Sequence, residues 1–177
     1  MYEKISELLT GRKFAEIRKL LNDANPVDIA QMFEELDEED VIRVFRLLPK
    51  EVAAETFSYM SSEAQKNIVE SMTDRELSGI IDELFLDDTV DLIEEMPASV
   101  VKKVLANTFG EKRSLINRFL QYKEDSAGSI MTIEFVDLKK EMTVEKAFEH
   151  IRKTGVDKET IYTCYVIDAN RVLEGVI

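Results

Sequence analysis

Apolar residues recur along the first two thirds of the chain with a fixed step of twelve residues. One column of this repeat, from Leu9 to Leu105, is apolar in all nine copies. Three companion columns keep the same step, starting at Ile5, Leu8 and Arg12. Together the four columns are apolar at 31 of 36 positions, where the 45% apolar composition would give about 16. The pattern therefore indicates a structural repeat.

Each copy of the repeat has the hydrophobic spacing of an α-helix. The apolar offsets are 0, 3, 4 and 7, as at Ile29, Met32, Phe33 and Leu36, which form one face of a helix. Twelve steps of about 100° rotate that face by a third of a turn, so the chain must bend between copies. We therefore expect helices of about nine or ten residues with two-residue turns. Because such short helices are marginal alone, they must stack into a solenoid with one continuous core.

Local signals mark the starts of these helices. Thr73 is followed three residues later by Glu76, the spacing of a capping box. Proline is favoured at the beginning of a helix because its missing N–H is not needed there. The other predicted starts lie at Asn25 before Pro26, at Pro49, at Ser61 and at Pro97.

After about residue 121 the twelve-residue step ends and a different pattern begins. A small-residue joint around Gly128 precedes "IEFVDL", which is typical of a strand. "MTVEKAFEHIRKTG" predicts a helix from an N-cap at Thr143 to a stop at Gly155, with an apolar stripe. Two strands follow, "IYTCYVID" and "RVLEGVI", joined by a short turn around residues 168–170. The stripe of the predicted helix consists of Val144, Ala147, Phe148 and Ile151.

These patterns predict two domains. Residues 1–121 form a helical domain, and residues 122–177 form a domain with the order β-α-β-β. The last predicted strand is apolar and has no covering helix after it, which indicates that the second domain is part of a longer polypeptide.

Composition excludes several classes of function. The 36 acidic and 23 basic residues give a net charge of −13, which repels nucleic acid, so we expect no nucleic-acid partner. No uncharged run exceeds eight residues, whereas a membrane span needs about twenty mostly apolar ones. Cys164 is the only cysteine, so an internal disulfide is impossible and a reducing cytoplasm fits.

One segment concentrates negative charge without compensation. From Glu76 to Val101 the chain holds eight carboxylates and no Lys or Arg. Relative to the predicted core stripe of this part of the repeat, Asp87 and Asp91 point outward and share one helix face, and Glu94 points the same way. Glu55 occupies the same repeat position as Asp91, three copies earlier.

Two interpretations of these acids remain open at this point. Acids in the first turn of a helix are favoured by its dipole, and an acidic outer face is often only solvated. A divalent cation is the alternative, and magnesium suits such a surface because it keeps most of its waters and takes one or two protein carboxylates. Calcium would need a chelating loop that is absent from the sequence. Zinc or iron would need more than His150 and Cys164, which we expect to be structural.

The second half brings a family resemblance. The run "EDSAGSIMT", followed by "MTVEKAFEHIRKTG", "ETIYTCYVID" and "RVLEGVI", resembles the start of the first CBS domain of the MgtE family of magnesium transporters. In the helical half, "LLPKEVAAE" and "LDDTVDL" are similar to segments of that family's N-terminal domain. The resemblance implies a mainly α chain: a right-handed superhelix of short helices with a 12-residue period, followed by an α/β CBS-type domain that is incomplete at its C-terminus.

The resemblance also implies a function and a site. It implies a cytosolic magnesium-sensing region in which Mg²⁺ bridges the helical and CBS domains and closes a pore. The implied metal ligands are Glu55, Asp87 and Asp91, with Asp88, Glu94 and Glu95 as weaker candidates. The implied partners are a second CBS domain and a membrane pore domain within a homodimer. The implied location is the cytoplasmic side of the membrane, with this part soluble and the full-length protein crossing the membrane several times.

A scaffold and an enzyme are the two other classes of function to compare with a magnesium sensor. Solenoids present long surfaces, so a protein-interaction scaffold whose acidic face binds a basic partner is the alternative. An enzyme is not expected, because one histidine, one cysteine and no glycine-rich phosphate loop indicate no nucleophile and base pair. Whether the CBS portion holds an adenine nucleotide stays open.

Overall fold

The computed structural model describes residues 1–123 and 125–177. Short helices follow one another through the first 119 residues, and a small mixed α/β arrangement ends the chain. The mainly helical class and the α/β C-terminal part predicted above are confirmed. The helices and strands are α1 (Tyr2–Thr10), α2 (Phe14–Asn22), α3 (Pro26–Phe33), α4 (Glu38–Phe45), α5 (Lys50–Ser58), α6 (Ser62–Ser71), α7 (Asp74–Glu83), α8 (Leu86–Glu95), α9 (Ala98–Ala106), α10 (Gly110–Phe119), β1 (Phe135–Lys139), α11 (Val144–Thr154), β2 (Thr160–Ile167) and β3 (Leu173–Val176).

The chain divides into two compact units. The first unit comprises Met1–Leu84 and Asp88–Gln121. The second comprises Tyr122–Ile177 together with Phe85–Asp87, the short segment in which α8 begins. Within the part of the chain that the structure describes, no helix is long and apolar enough to cross a bilayer.

The core of the first unit is built from the repeat columns. Each copy of the repeat is a separate helix, and α3 packs on α5, α4 on α6, α5 on α7 and α7 on α9. We call the column from Leu9 to Leu105 the main column, and its neighbouring aromatic rings are in contact. The ring centroids of Phe33 and Phe45 lie 6.4 Å apart with an interplanar angle of 48°, and those of Phe45 and Phe57 lie 6.2 Å apart with an angle of 66°. Helices of eight to ten residues are thus stabilised by the stack rather than by their own propensity.

Helix starts follow the predicted signals. The Asn25 side chain accepts a hydrogen bond from the Val27 N–H, and Thr73 and Glu76 form a complete capping box. Pro49, Ser61 and Pro97 occupy the N-cap positions of α5, α6 and α9. The predicted two-residue turns are wrong for part of the chain: α6, α7 and α8 are separated by two residues, but α3 and α4 are separated by four. The longer connections contain extra turns after the helix end.

The second unit has the predicted order β-α-β-β. Its sheet has the order β1-β2-β3, with β1 parallel and β3 antiparallel to β2. Thr143 caps α11 through the Lys146 N–H, and Gly155 ends the helix. Its main buried cluster is small and consists of Val136, Leu138 and Cys164, and Ile167 is also buried.

Only half of the apolar stripe predicted for α11 packs against the core of the second unit. Ala147 and Ile151 pack against the core of the second unit. Val144 and Phe148 are 74% and 54% exposed, so these two residues of the stripe lie at the surface of the second unit. A sheet of three strands is too narrow to cover the whole stripe, which leaves apolar surface on this unit.

Candidate functional site

The beginning of α8 is held by a carboxylate that is distant in sequence. Leu86 is the first residue of α8, and its N–H donates to Oε2 of Glu134 over 2.7 Å. The first N–H groups of a helix have no partner within the helix, so an external carboxylate there satisfies a donor and complements the helix dipole. Glu134 is itself positioned, because its N–H donates to the Thr132 hydroxyl over 3.0 Å.

Glu134 and Glu159 are brought side by side by the sheet. Phe135 pairs with Thr160 at the start of the parallel ladder, and the residues just before them are these two glutamates. The Glu159 N–H donates to the Glu134 carbonyl over 3.0 Å. The two glutamates therefore lie next to each other at the N-terminal ends of β1 and β2.

Asp87 completes a group of three interacting carboxylates. Partial removal from water raises the pKa of the Glu159 carboxyl, and the charges of Asp87 and Glu134 and a side-chain hydrogen bond with Asp87 raise it further, while a hydrogen bond from Thr132 opposes the rise. The Oδ1 atom of Asp87 is buried and accepts no hydrogen bond. The second unit thus concentrates negative charge around an unsatisfied carboxylate oxygen.

The rest of the α8 acids lie in the first unit. Asp88, Asp91 and Glu95 line a polar cavity of about 190 Å³, beside Gln65. The Gln65 amide donates to the Phe57 carbonyl over 2.8 Å, and the Ser62 hydroxyl donates to Glu95. Spacings of three and four residues place these three acids on one side of α8.

The three predicted metal ligands lie on two helices, α5 and α8. Glu55 is exposed on α5, and Asp91 is exposed on α8, as expected. Asp87 was expected to point outward, and this is wrong for one of its oxygens, because Oδ1 is buried. Among residues 1–123 and 125–177, no three Asp, Glu, His or Cys side chains converge closely enough to hold a metal ion by themselves.

Sequence reasoning missed Glu134 and Glu159. The available signal was their position near strand starts: Glu134 is the second residue of the predicted strand "IEFVDL", and Glu159 lies two residues before "IYTCYVID". Two strands joined through a helix are parallel, so their N-terminal ends meet. That rule would have placed the two acids together, but it would not have brought Asp87 to them.

Comparison with known proteins places the chain in a family. Residues 24–125, more than half of the chain, match the family described as the MgtE intracellular N domain. The chain belongs to the MgtE family. This confirms the resemblance drawn from "LLPKEVAAE" and "LDDTVDL", both of which lie within the matched residues.

Two curated MgtE relatives match part of the chain. The magnesium transporter MgtE of Thermus thermophilus is 40% identical over 65 residues, which are 37% of this chain and 14% of that protein. The magnesium transporter MgtE of Enterococcus faecalis is 39% identical over 67 residues, which are 38% of this chain and 15% of that protein. The match thus spans about a seventh of the length of these relatives. Both are named as transporters rather than as enzymes.

Two solved structures share the fold over nearly the whole chain. The cytosolic domain of the Mg²⁺ channel MgtE in complex with ATP superposes with a TM-score of 0.87 at 31% identity, covering 100% of this chain and 73% of that one. The soluble part of a magnesium transporter superposes with a TM-score of 0.89 at 28% identity, covering 99% of this chain and 70% of that one. The MgtE likeness therefore includes the C-terminal α/β unit, which lies mostly outside the matched family domain.

Proposed function

We propose that this chain is the cytosolic magnesium-sensing region of an MgtE-type magnesium transporter or channel. The observation that carries the proposal is the Asp87 carboxylate, whose buried Oδ1 has no hydrogen-bond partner and whose neighbours Glu134 and Glu159 are also acidic. Like charges that crowd together raise the free energy of the folded unit unless a cation neutralises them.

The donor chemistry at this position fits hydrated magnesium. Carboxylate oxygens are its preferred protein ligands, and one or two of them suffice because Mg²⁺ keeps several waters. Asp87 and Asp91 would each hold an ion from α8, and Glu55 would do so from α5. Bridging would then need oxygens from a second CBS domain, since the described residues contain no complete site.

Magnesium would act by changing the free energy of domain association. Without the ion, the acids repel a facing acidic domain and the assembly is loose; with it, bridging ions draw the domains together and close the pore. A site of millimolar affinity is worth about 4 kcal/mol at a 1 M standard state. Moving a two-state equilibrium from 1:99 to 99:1 needs about 5.5 kcal/mol of preference, which several such sites can supply together.

The partners in this proposal are a second CBS domain, a membrane pore domain and a second copy of the same subunit. The competing proposal is the acidic scaffold, in which the carboxylates of α8 bind a basic protein. Binding of a basic partner that is indifferent to Mg²⁺ would favour the scaffold over the sensor.

A magnesium titration of the thermal melt tests the sensor. At ten times the dissociation constant, one site raises the free energy of unfolding by about 1.4 kcal/mol, which is about 3–6 °C for a chain of this size. We expect Mg²⁺ to raise the melting temperature by more than NaCl of equal ionic strength. The double variant Asp87→Asn, Asp91→Asn should lose the difference between the two salts.

The matched control is the double variant Asp23→Asn, Asp28→Asn. It removes the same charge, and Asp28, like Asp87, lies in the first turn of a helix. The control should keep the full response to Mg²⁺. Equal responses of both double variants, or equal shifts from Mg²⁺ and NaCl, would mean that the salts only screen the net charge, and the sensor proposal would fail.

A further inference from the structure

Two of the four repeat columns lose full burial at their last copy, on α9, whereas Val104 and Thr108 of the other two columns stay buried there. In the main column the six residues from Phe33 to Ile93 are at most 5% exposed, whereas Leu105 on α9 is only half-buried. In the column that starts at Ile5, every repeat residue up to Thr89 is buried, whereas Val101 is only partly buried. Leu105 and Val101 are repeat positions that elsewhere in the column face a neighbouring helix.

The uncovered positions lie in a groove. Met96, Val101 and Leu105 form its apolar floor, and the groove encloses a volume of about 630 Å³ within the first unit. Earlier helices of the stack are covered by the helix two positions later, as α3 is covered by α5 and α5 by α7. Among the described residues of the first unit α10 is the last helix, so this unit has no helix two positions after α9. The groove therefore has the surface of a helix-binding slot.

The rim of the groove is cationic. Lys102 and Arg113 line it, and Arg113 is held in place because its guanidinium donates to the Leu105 carbonyl. The other residues that line the groove are apolar, so its charge is positive in a chain whose net charge is −13. A basic rim around an apolar floor favours an occupant with carboxylates beside an apolar stripe.

We propose that this groove receives an acidic amphipathic helix of a partner protein, which adds one more helix to the stack. The apolar stripe of that helix would have the offsets 0, 3, 4 and 7, because those offsets cover the same columns elsewhere in the repeat. Its flanking Asp or Glu side chains would face Lys102 and Arg113. The proposal does not depend on magnesium and concerns a different face from the acids of α8.

A peptide copied from one repeat of this chain can test whether the groove binds a helix. Residues 73–84, TDRELSGIIDEL, carry the required stripe and several acids. A fluorescent peptide of this sequence, with a hydrocarbon staple replacing residues 75 and 79 on the face opposite the stripe, would be helical despite its length. We expect it to bind the 177-residue chain in fluorescence anisotropy, and a peptide with Ile80→Ser and Ile81→Ser to lose binding.

Variants of the chain locate the binding. Ala106→Trp places bulk in the groove at an exposed position and should weaken the peptide at least about tenfold, whereas Ala15→Trp, exposed on α2, should not. Lys102→Glu should weaken it about threefold at low salt, with the loss disappearing in about 1 M NaCl, and Lys19→Glu should have no effect.

Three results would overturn the proposal. The first is an absence of peptide binding up to about 1 mM, a concentration that even weak helix docking reaches. The second is equal binding by the parent chain and Ala106→Trp. The third is binding of anionic phosphatidylserine vesicles that Lys102→Glu abolishes, because this face would then serve a lipid surface.

Discussion

Glu76 shows how one side chain can link helix capping, charge and pH. Its carboxylate accepts hydrogen bonds from the Thr73 N–H and hydroxyl, both over 2.8 Å, and pairs with Arg46 over 3.2 Å. The Thr73 backbone hydrogen bond, the Thr73 hydroxyl and the Arg46 charge lower the pKa of Glu76, against a smaller opposing effect of burial. Because the folded state prefers the ionised form, this contribution to stability is present above the ordinary glutamate pKa and is lost as the pH falls through the lowered one.

We predict that Glu76→Gln reduces the free energy of unfolding by about 0.5–1 kcal/mol near pH 7, a value that allows for solvent screening of this partly exposed group. The difference from the parent chain should shrink between pH 7 and an acid pH below the lowered pKa of Glu76, where both side chains are neutral. Urea unfolding at the two pH values measures it. The control Glu63→Gln alters a first-turn glutamate of α6 outside such a box, and its effect near pH 7 should be smaller. A Glu76→Gln effect that is the same at both pH values would contradict the assignment.

At the scale of the elements, helix ends in the first unit are capped by side chains about three repeats away. The Lys103 ammonium on α9 donates to the Val69 and Met72 carbonyls at the end of α6, over 2.7 and 2.6 Å. The Lys112 ammonium on α10 donates to the Ile81 and Leu84 carbonyls at the end of α7. The last carbonyls of a helix lack partners within the helix and carry its negative dipole end, so a cation there stabilises both helices.

Replacement of Lys103 by methionine should therefore destabilise the first unit. Lys103→Met keeps most of the side-chain volume and removes the charged donors, and we expect a loss of about 1–3 kcal/mol. Chemical denaturation measured by circular dichroism reports it. Lys102→Met, at the exposed neighbouring position, is the matched control and should change stability by less than about 0.5 kcal/mol. Equal effects at the two positions would mean that the carbonyl contacts do not stabilise the fold.

At the scale of the whole molecule, the two units differ in how much apolar surface each buries. The first unit has a continuous core from Ile5 to Phe119, whereas the second rests mainly on Val136, Leu138 and Cys164. No residue of α11 is buried, and β3 contains exposed Leu173 and Val176. Local stability follows buried apolar contacts, so the two units should open with different free energies.

Amide hydrogen exchange should resolve this difference. We predict that the amides of α5, α6 and α7 exchange at least about tenfold more slowly than those of α11 and β3. Mass spectrometry of peptic fragments at neutral pH measures the rates. The internal reference is β1, whose alternate side chains are buried and which should be better protected than β3. Equal protection of α6 and α11 would show that the small core of the second unit is as stable as the long one.

Features that depend on neighbours in sequence were predictable. The helical period, the capping box at Thr73 and Glu76 and the N-cap at Thr143 follow from hydrogen bonds and packing within a few residues. The exposure of Val144 and Phe148 did not follow from the stripe, because helical spacing does not show how wide the covering sheet is. The lengths of the turns between helices were predicted only in part. A shorter helix with a longer turn still adds up to twelve residues, so the repeat pattern does not distinguish the two.

The amino-acid sequence by itself determined where helices and strands form and which face of each is apolar, because those properties repeat every few residues. Only the tertiary structure brought Glu134 to the start of α8, 48 residues away in the chain, and Glu159 to Asp87. It also decided that Val101 and Leu105 of the last repeat copy are only half-buried and line a groove. Such contacts arise when distant segments pack together, and the packing is selected by the total burial of the fold rather than by the residues next to them.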